Sequence, residues 1–272
     1  MTFFINQNLN KMIKNILKNI NNFIINKKIN YIYGKKLKKY SIKSDIPVII
    51  CSYNRYHFLK KLIRQLNKLN IKPIIIDNNS KQKKLLDFYK NIKFRRNFFL
   101  LKLNKNYGPN VIYKSFIFNN LPRYFAYTDP DIEINKDIKK NFLQILKDYT
   151  NKYQIQKVGF AINDKNLKNI NIRIGARNKN NKIIEKIISL KKSLKKKKII
   201  IDKNPTVYKS LIDTTFALYN KKFIRKNKLE ALSLGDDFTC KHLPWEKNYK
   251  LPKDENIEYI KSKLKNISST IN

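Results

Sequence analysis

Through the first half of the chain, short apolar segments alternate with longer ones in which apolar residues recur every three or four positions. Residues 47–51 form a continuous apolar run, typical of a strand buried on both faces of a parallel sheet. Residues 58–69 then show helical spacing. Further strands are predicted at 74–76, 98–101 and 124–128, with helices between them. This order predicts an α/β fold with a mainly parallel, Rossmann-like sheet flanked by helices.

Each of these four strands is followed by polar residues, at positions 52–55, 77–80, 106–108 and 129–131. Because parallel strands end at one edge of a sheet, these residues are expected to line one cleft. Asp129 and Asp131 are hard oxygen ligands suited to Mg²⁺ or Mn²⁺, although Asp-Pro also favours a simple turn. Asp77 closes the second strand, where nucleotide-binding α/β folds often hold a ribose hydroxyl, and a strand-end turn is its alternative.

The first loop has neither G-x-G-x-x-G nor the P-loop pattern, which disfavours a dehydrogenase or a P-loop NTPase. A segment at residues 235–246 gathers Asp236, Asp237, His242 and the single tryptophan. His242 either completes a metal site, binds a leaving diphosphate when protonated, or is structural. Asp213, Asp236 or Asp237 acts as general base if it lies within hydrogen-bond reach of an acceptor hydroxyl.

The two ends of the chain differ from its middle. Apolar residues at helical spacing over residues 9–24, with lysines between them, predict a basic amphipathic helix that either lies on an anionic membrane or packs against the main domain. Residues 35–43 are interpreted as a basic linker. After 135, a helix is predicted near 142–146, strands at 158–162 and 211–219, and no periodic element over 164–204.

The extreme composition and charge say little about function. The net charge is +41 over 272 residues, but lysine, asparagine and isoleucine are abundant throughout and there are only 5 glycines, as in proteins from AT-rich genomes. Lysine then fills solvated positions by default. Cys51 and Cys240 show no metal or disulfide spacing, Cys51 is expected to be buried, and a reducing, cytoplasmic location follows. No apolar stretch approaches the ~18 residues of a membrane-spanning helix.

Four motifs taken together resemble the nucleotide-sugar half of family 2 glycosyltransferases, which have the GT-A fold: residues 48–55, 74–80, 106–109 and 128–131. His242-Leu243-Pro244-Trp245 is similar to a segment near the end of some small bacterial members. The resemblance implies a basic N-terminal extension at 1–44, then a GT-A domain at 45–272 with a nucleotide-sugar half (45–135) and an acceptor half (136–272).

The resemblance also implies roles for individual residues. Asp129 and Asp131 would form the metal-binding Asp-x-Asp for Mn²⁺ or Mg²⁺, with Asp131 as the direct ligand, and His242 is the further candidate ligand that its chemistry suggests. Asp236-Asp237 is the nearest equivalent of the family's Glu-Asp pair, with Asp213 as the rival base. The implied reaction inverts the anomeric carbon, without a covalent nucleophile. The implied donor-binding residues are Ser52, Tyr53, Asn54, Arg55, Asp77, Asn79, Asn106, Gly108 and Asp129.

The expected partners are a nucleotide-sugar donor and a carbohydrate or lipid-linked hydroxyl acceptor, as in surface polysaccharide or lipopolysaccharide synthesis, with peripheral contact to an anionic membrane. Three alternatives stay open. A non-catalytic nucleic-acid-binding protein fits the charge, but the lysines are dispersed and the acidic cleft would repel a phosphate backbone, so no specific nucleic acid is expected. A nucleotidyltransferase would usually open with a glycine-rich loop. A degenerate transferase would bind its donor without turnover.

Overall fold

The computed structural model describes residues 16–17, 28–29, 31–162, 171–177, 183–189, 200–203, 205–210, 216–224, 231–246, 249–250, 252, 254–255 and 257. In its first half the predicted alternation is confirmed. The strands there are β1 (Val48–Ser52), β2 (Ile74–Asp77), β3 (Phe99–Lys102), β4 (Tyr124–Thr128) and β5 (Ile132–Ile134). Residues 31–41 are helical (α1), and the following helices are α2 (Tyr56–Lys68), α3 (Lys83–Lys90), α4 (Ile92–Arg95), α5 (Ser115–Phe118) and α6 (Phe142–Lys152).

The remaining strands are β6 (Lys157–Ile162), β7 (Asn171–Arg177), β8 (Ile183–Ser189), β9 (Ile200–Lys203), β10 (Thr206–Ser210), β11 (Ala217–Asn220) and β12 (Ala231–His242). Within the described residues they form one large sheet in the order β3-β2-β1-β4-β11-β6-β12-β10-β9, with β5 paired to β12, and a separate β7–β8 hairpin. Strands β1 to β4 are parallel to one another, whereas β11, between β4 and β6, is antiparallel to both. The α/β class with a largely parallel central sheet is thus confirmed.

The sheet is buried on both faces because side chains alternate along each strand. In β1, Val48 and Ile50 point into one apolar cluster, while Ile49 and Cys51 point into the other. The first cluster lies under α2, α3 and α6, and the second under α1, α5 and the 3₁₀ turn at Val111–Tyr113. A strand buried on both faces needs apolar residues at every position, and the run at 48–51 supplies them.

Two expectations are corrected. The linker predicted over 35–43 is wrong, because residues 31–41 are helical and Leu37 is fully buried in the second cluster. The stretch without predicted elements contains β7, β8 and β9. The 12-residue strand β12 was not predicted either, since its pairing with β6 shifts register between Leu234 and Thr239 and so breaks the apolar alternation.

Some expectations fall outside the described residues: all of the helix predicted over 9–24 except residues 16–17, the lysine run at 191–198, and positions 211–215 of the strand predicted over 211–219. Both cysteines are free and buried, as expected for Cys51. None of the helices in the described part of the chain combines the length and the apolar character that a membrane crossing needs.

Candidate active site

A cleft opens at the carboxyl edge of β1, β2 and β4, where the sequence predicts it. Its volume is about 150 Å³. Six of the predicted site residues line it: Tyr53, Arg55, Asn106, Gly108, Asp129 and Asp131. Sequence reasoning did not single out the other four lining residues, which are Cys51, Asn78, Pro109 and Pro130. All of them lie in or beside the predicted motifs, so the motifs located the site more accurately than they identified its individual contacts.

Two asparagine side chains join the three loops behind this cleft. Asn54 Oδ1 accepts hydrogen bonds from the backbone N–H groups of Lys81 (2.8 Å) and Gln82 (3.0 Å), which ties the β1–α2 loop to the β2–α3 loop. Asn78 Oδ1 accepts from the Tyr107 N–H (2.8 Å), and its Nδ2 donates to the Gly108 carbonyl (2.9 Å). The loops therefore form one connected surface.

Three predicted donor-binding residues lie beneath this surface. Ser52, Asn54 and Asp77 are 1%, 5% and 0% exposed. Asp77 Oδ2 accepts from the Ser80 N–H (3.0 Å), and its Oδ1 accepts from the Tyr89 hydroxyl (3.1 Å). Burial raises the pKa of the Asp77 carboxyl, an effect that these hydrogen bonds oppose. Direct contact of these three residues with a donor stays a prediction, because their side chains are buried. The hydrogen bonds of Asn54 and Asp77 hold the loops in place.

Asn79 is half-buried and lies outside the cleft lining, with a backbone φ of 64°. This left-handed conformation is one that asparagine tolerates better than most residues. Its predicted donor contact is untested. Lys81 Nζ donates a hydrogen bond to Asn79 Oδ1 (3.2 Å), so the carbonyl oxygen of the Asn79 side chain already has a partner.

Asp131 and His242, predicted to share a metal site, do come together. His242 Nε2 lies 3.6 Å from Asp131 Oδ1, and each residue is 8% exposed. The Trp245 ring stacks on the imidazole at 4.3 Å between centroids and 22° between planes. The Leu243 N–H donates to the Asp131 carbonyl (2.9 Å), and β12 pairs with β5 so that His242 faces Ile132. The Asp-Pro-Asp turn is thus clamped against the end of β12.

The residues present fit a divalent cation. The 3.6 Å separation is too long for a hydrogen bond, whereas two ligand atoms sharing one small cation lie about 3 Å or more apart. Asp131 Oδ1 is buried and accepts no hydrogen bond within the described structure. No group of three or more His, Cys, Asp and Glu side chains among the described residues is arranged to hold a metal by itself. A cation here would take further oxygen ligands from a phosphate group, as Mg²⁺ commonly does.

The candidate bases are less well placed. Asp236 lies on the irregular part of β12 with φ 54°, and its Oδ2 accepts from the Thr206 N–H on β10 (2.8 Å). Neither Asp236 nor Asp237 lines the cleft of Asp129 and Asp131, and their catalytic role stays a prediction. Asp213 lies outside the described residues. The strand that follows it, β11, is antiparallel to β4 with Ala217 opposite Tyr127, so β11 begins at the edge where β4 ends.

Cys51 and Tyr127 lie together at the base of the cleft. Burial raises the pKa of the Cys51 thiol to about 12, with the nearby Asp129 charge acting in the same direction, so this thiol stays protonated and unreactive. The Tyr127 hydroxyl donates to the Pro109 carbonyl (3.2 Å). These two side chains support the β4 and Gly108 segments without supplying chemistry.

A larger groove of about 670 Å³ lies at the opposite edge of the sheet, beside the starts of β1, β2 and β3. Its lining includes Tyr40, Lys43, Lys72 and Phe99, and the described residues around it include no carboxylate, histidine or cysteine. Ligands of open α/β sheets bind at the carboxyl ends of the strands. The smaller cleft is therefore the better candidate for the active site, despite its size.

Comparison with known proteins identifies a matching family. The family model described as glycosyl transferase family 2 matches residues 48–227, which span β1 to β11. No protein among the curated sequences matches at a significant level.

Among solved structures, the chain is similar to S. aureus TarS 1-349, with 14% identity over 65% of this chain and 47% of that one and a TM-score of 0.38. TarS 1-349 in complex with UDP-GlcNAc matches at 17% identity over 48% and 40%, with a TM-score of 0.33. Mannosyltransferase PcManGT from Pyrobaculum calidifontis, in complex with GDP-Man and Mn²⁺, matches at 12% identity over 51% and 45%, with a TM-score of 0.34. The matched region spans less than half of each of these structures.

The joining of the loops by Asn54 can be tested by mutation. Asn54→Ala removes two hydrogen bonds to backbone N–H groups and places an alanine at φ 52°. We expect a loss of roughly 2–3 kcal/mol in the free energy of unfolding, measured by urea denaturation. Asn54→Asp keeps an oxygen acceptor and tolerates the left-handed backbone, so its loss should stay below about 1 kcal/mol. Equal stability of Asn54→Ala and the wild type would contradict this role.

Proposed function

The chain belongs to glycosyl transferase family 2, and on this basis we propose that it transfers a sugar from a nucleotide-sugar donor to a hydroxyl acceptor. The observation that carries the proposal is the position of Asp129 and Asp131. They follow β4 directly, at the edge where the polar ends of β1 and β2 also meet, in a cleft shared with Arg55. Paired carboxylates and an arginine at one sheet edge suit a metal-bound diphosphate.

The size of the cleft supports a specific placement of the donor. At about 150 Å³ it is smaller than the ~300–1,000 Å³ of typical whole-ligand pockets. We assign the diphosphate to it, beside Asp129, Asp131 and Arg55, with the nucleoside extending over Tyr53 and Asn106. Asp131, with His242 beside it and Asp129 nearby, would hold Mn²⁺ or Mg²⁺ together with diphosphate oxygens. When bound, such a cation neutralises the charge that develops on the leaving group.

The chain's own residues have separate tasks in this proposal. Arg55 pairs with the diphosphate through charge-assisted hydrogen bonds. The stacked Trp245 ring fixes the orientation of His242. A carboxylate takes the proton of the acceptor hydroxyl as its oxygen attacks the anomeric carbon from the face opposite the diphosphate, so the configuration inverts. Nuclear magnetic resonance of the first-formed product would show retention if this single-displacement course were wrong.

Donor class and metal dependence are tested together by thermal-shift and calorimetric titration with UDP-, GDP-, dTDP- and CMP-sugars, with and without Mn²⁺. A ligand that binds only the native state raises the melting temperature, and the shift grows with the logarithm of ligand concentration over its dissociation constant. We expect one nucleotide to shift the wild type in a metal-dependent way. Asp131→Asn should weaken that binding by at least about tenfold, because a carboxylate ligand becomes a neutral amide.

The matched control is Asp148→Asn, which removes the same charge from the exposed face of α6, and its affinity should equal that of the wild type. If every nucleotide sugar were silent while oligonucleotides stabilised the protein at moderate salt, the nucleic-acid-binding alternative would replace this proposal. If nucleotide binding were unchanged in Asp131→Asn, the proposal that a metal ion mediates donor binding would be excluded.

For the general base we favour Asp213, because β11 begins at the catalytic edge and Asp213 precedes it by four residues. We expect Asp213→Asn to lower the release of nucleoside diphosphate by about 10²–10⁴-fold, with donor affinity unchanged. Asp236→Asn and Asp237→Asn should retain most activity, since Asp236 is engaged with β10. Full activity in Asp213→Asn with loss in Asp237→Asn would assign the base to the Asp236-Asp237 pair.

We further propose a carbohydrate acceptor carried on lipid, as in surface polysaccharide or lipopolysaccharide synthesis, and peripheral binding to the cytoplasmic face of the membrane. Helix α1 supports this. Its buried side carries Leu37, while Tyr31, Ile32 and Ile42 at or beside it are 67%, 49% and 76% exposed. Around them lie the exposed lysines Lys35, Lys36, Lys38 and Lys39. Free cysteines fit a reducing compartment.

Membrane binding is measured by cosedimentation with vesicles containing phosphatidylglycerol or only phosphatidylcholine. Changing the four α1 lysines to glutamine should weaken binding to the anionic vesicles by at least about tenfold, since each lysine near such a surface contributes about 1 kcal/mol. The control is the same loss of charge elsewhere, by glutamine at the exposed Lys90, Lys93, Lys139 and Lys140. Equal weakening by both sets would show that only total charge matters and would remove α1 as the docking surface.

A further inference from the structure

Helix α2 begins directly after the loop that lines the cleft, and its own sequence leaves its amino terminus uncapped. Arg55 occupies the N-cap position and its side chain makes no capping hydrogen bond, nor is there an acidic residue in the first turn. The first amide groups of a helix have no partner within the helix and need one from elsewhere. A serine, threonine, aspartate or asparagine usually supplies it.

Glu255 supplies that partner from 198 residues further along the chain. Its Oε2 and Oε1 accept hydrogen bonds from the His57 N–H at 2.9 Å and 3.2 Å. Glu255 is 0% exposed, and His57 Nε2 lies 3.5 Å from Oε2. A carboxyl group at this position also interacts favourably with the positive end of the helix dipole.

Two neighbouring contacts hold Glu255 in place. Asp254 pairs with Lys84 of α3 at 2.7 Å, and Tyr249 stacks on Phe58 of α2 at 5.6 Å between centroids and 20° between planes. We call Tyr249, Asp254 and Glu255 the clasp. The Asp254–Lys84 pair is solvent-exposed, and such pairs contribute little. Glu255 and the aromatic stack are therefore the main anchors.

The clasp reaches the cleft through Arg55. Arg55 is at once the N-cap residue of α2 and a lining residue beside Asp129 and Asp131. Its charge lies close enough to Glu255 to favour the ionised carboxylate. Whatever fixes the first turn of α2 therefore fixes the backbone from which Arg55 reaches the cleft.

We propose that Glu255 is a positioning residue for glycosyl transfer, which holds the first turn of α2 so that Arg55 is in place for the donor's diphosphate and Tyr53 for its nucleoside. This inference rests on the proposed function, because it assumes that the cleft binds a nucleotide sugar. The clasp thereby affects donor affinity, although its residues are more than 100 positions from Asp131 in the sequence and belong to none of the predicted motifs.

The clasp also makes donor binding depend on pH near neutrality. Burial raises the pKa of the Glu255 carboxyl from 4.5 to about 7, opposed by the helix N–H groups and Arg55 and reinforced by Asp254. Burial lowers the pKa of His57; the Asp254 charge opposes this shift, whereas Lys84 and Lys60 act in the same direction as burial. Tyr249 and Lys84 are the other titratable groups facing Glu255.

The direction of this dependence follows from proton binding. Between pH 4.5 and about 7 the folded state holds a proton on Glu255, whereas the unfolded state, or an opened clasp, has released it. The stability of the closed clasp therefore falls as pH rises through this window and levels off above about pH 7. Donor affinity should follow the same course.

The test compares wild type, Glu255→Ala, Glu255→Gln and the surface control Asp148→Asn on α6, with the nucleotide sugar that gives the largest shift in the donor panel. Glu255→Ala removes the cap and should weaken donor binding at least fivefold at pH 7. Glu255→Gln keeps an acceptor oxygen without ionising. From pH 5.5 to 8, wild-type affinity should therefore fall about three- to tenfold relative to Glu255→Gln. Dividing by the affinity of Glu255→Gln at each pH removes the pH effects that do not involve Glu255.

Hydrogen–deuterium exchange provides a readout that does not need the donor. The His57 amide should exchange at least about tenfold faster in Glu255→Ala, because its acceptor is gone, while the middle of α2 stays protected. A folded Glu255→Ala protein that binds donor as tightly as wild type would overturn the positioning role, leaving a cap of purely structural value. If wild type bound no nucleotide sugar, the proposed function would fall and the positioning role with it. Donor binding weakened as much by Asp148→Asn as by Glu255→Ala would also contradict the assignment.

Discussion

The geometry of the candidate site depends on the hydrogen bonds that bind its loops to one another. A parallel sheet brings the carboxyl ends of its strands to one edge, but it does not fix the loops that follow them. Asn54 and Asn78 do so here, the first by holding the backbone of the second loop and the second by holding that of the third. The buried Asp77 carboxyl supports the same region through Ser80 and Tyr89. The cleft is accordingly organised before any ligand arrives, which reduces the entropy lost on binding.

Electrostatics gives the cleft a character opposite to that of the whole molecule. The chain carries a net charge of +41, yet the cleft presents Asp129 and Asp131 with Arg55 beside them. A strongly positive surface attracts anions over a distance of roughly a Debye length, about 8 Å at physiological salt. Binding at the cleft itself then depends on local carboxylates and whatever cation they hold. Long-range attraction and local recognition are thus separate properties, and the first does not define the ligand.

Sequence patterns were sufficient where local and tertiary signals agree. The strands β1 to β4 are continuous apolar runs because both of their faces are buried, and the polar residues after them mark the cleft. The pairing of Asp131 with His242 was also expected from residue chemistry. The patterns failed where tertiary contacts decide: Leu37 is a single apolar residue among lysines, yet it anchors α1 in the core. The irregular pairing of β12, the enclosure of Asp77 and the cap from Glu255 arise from contacts between distant segments, which no local spacing records.

Because the chain has only 5 glycines, asparagine takes over left-handed backbone positions, which affects how the site can vary between related proteins. Among the described non-glycine residues, left-handed backbone occurs at Asn54, Asn70, Asn79, Gln154 and Asp236. At Asn54 the same side chain relieves the backbone and joins two loops, so a substitution there affects both at once. Tyr53 and Asn106, by contrast, line the cleft without serving in that joint. Substitutions that change ligand preference are therefore expected at Tyr53 and Asn106. Asn54, which joins the two loops, is expected to stay the same in related proteins that use different substrates.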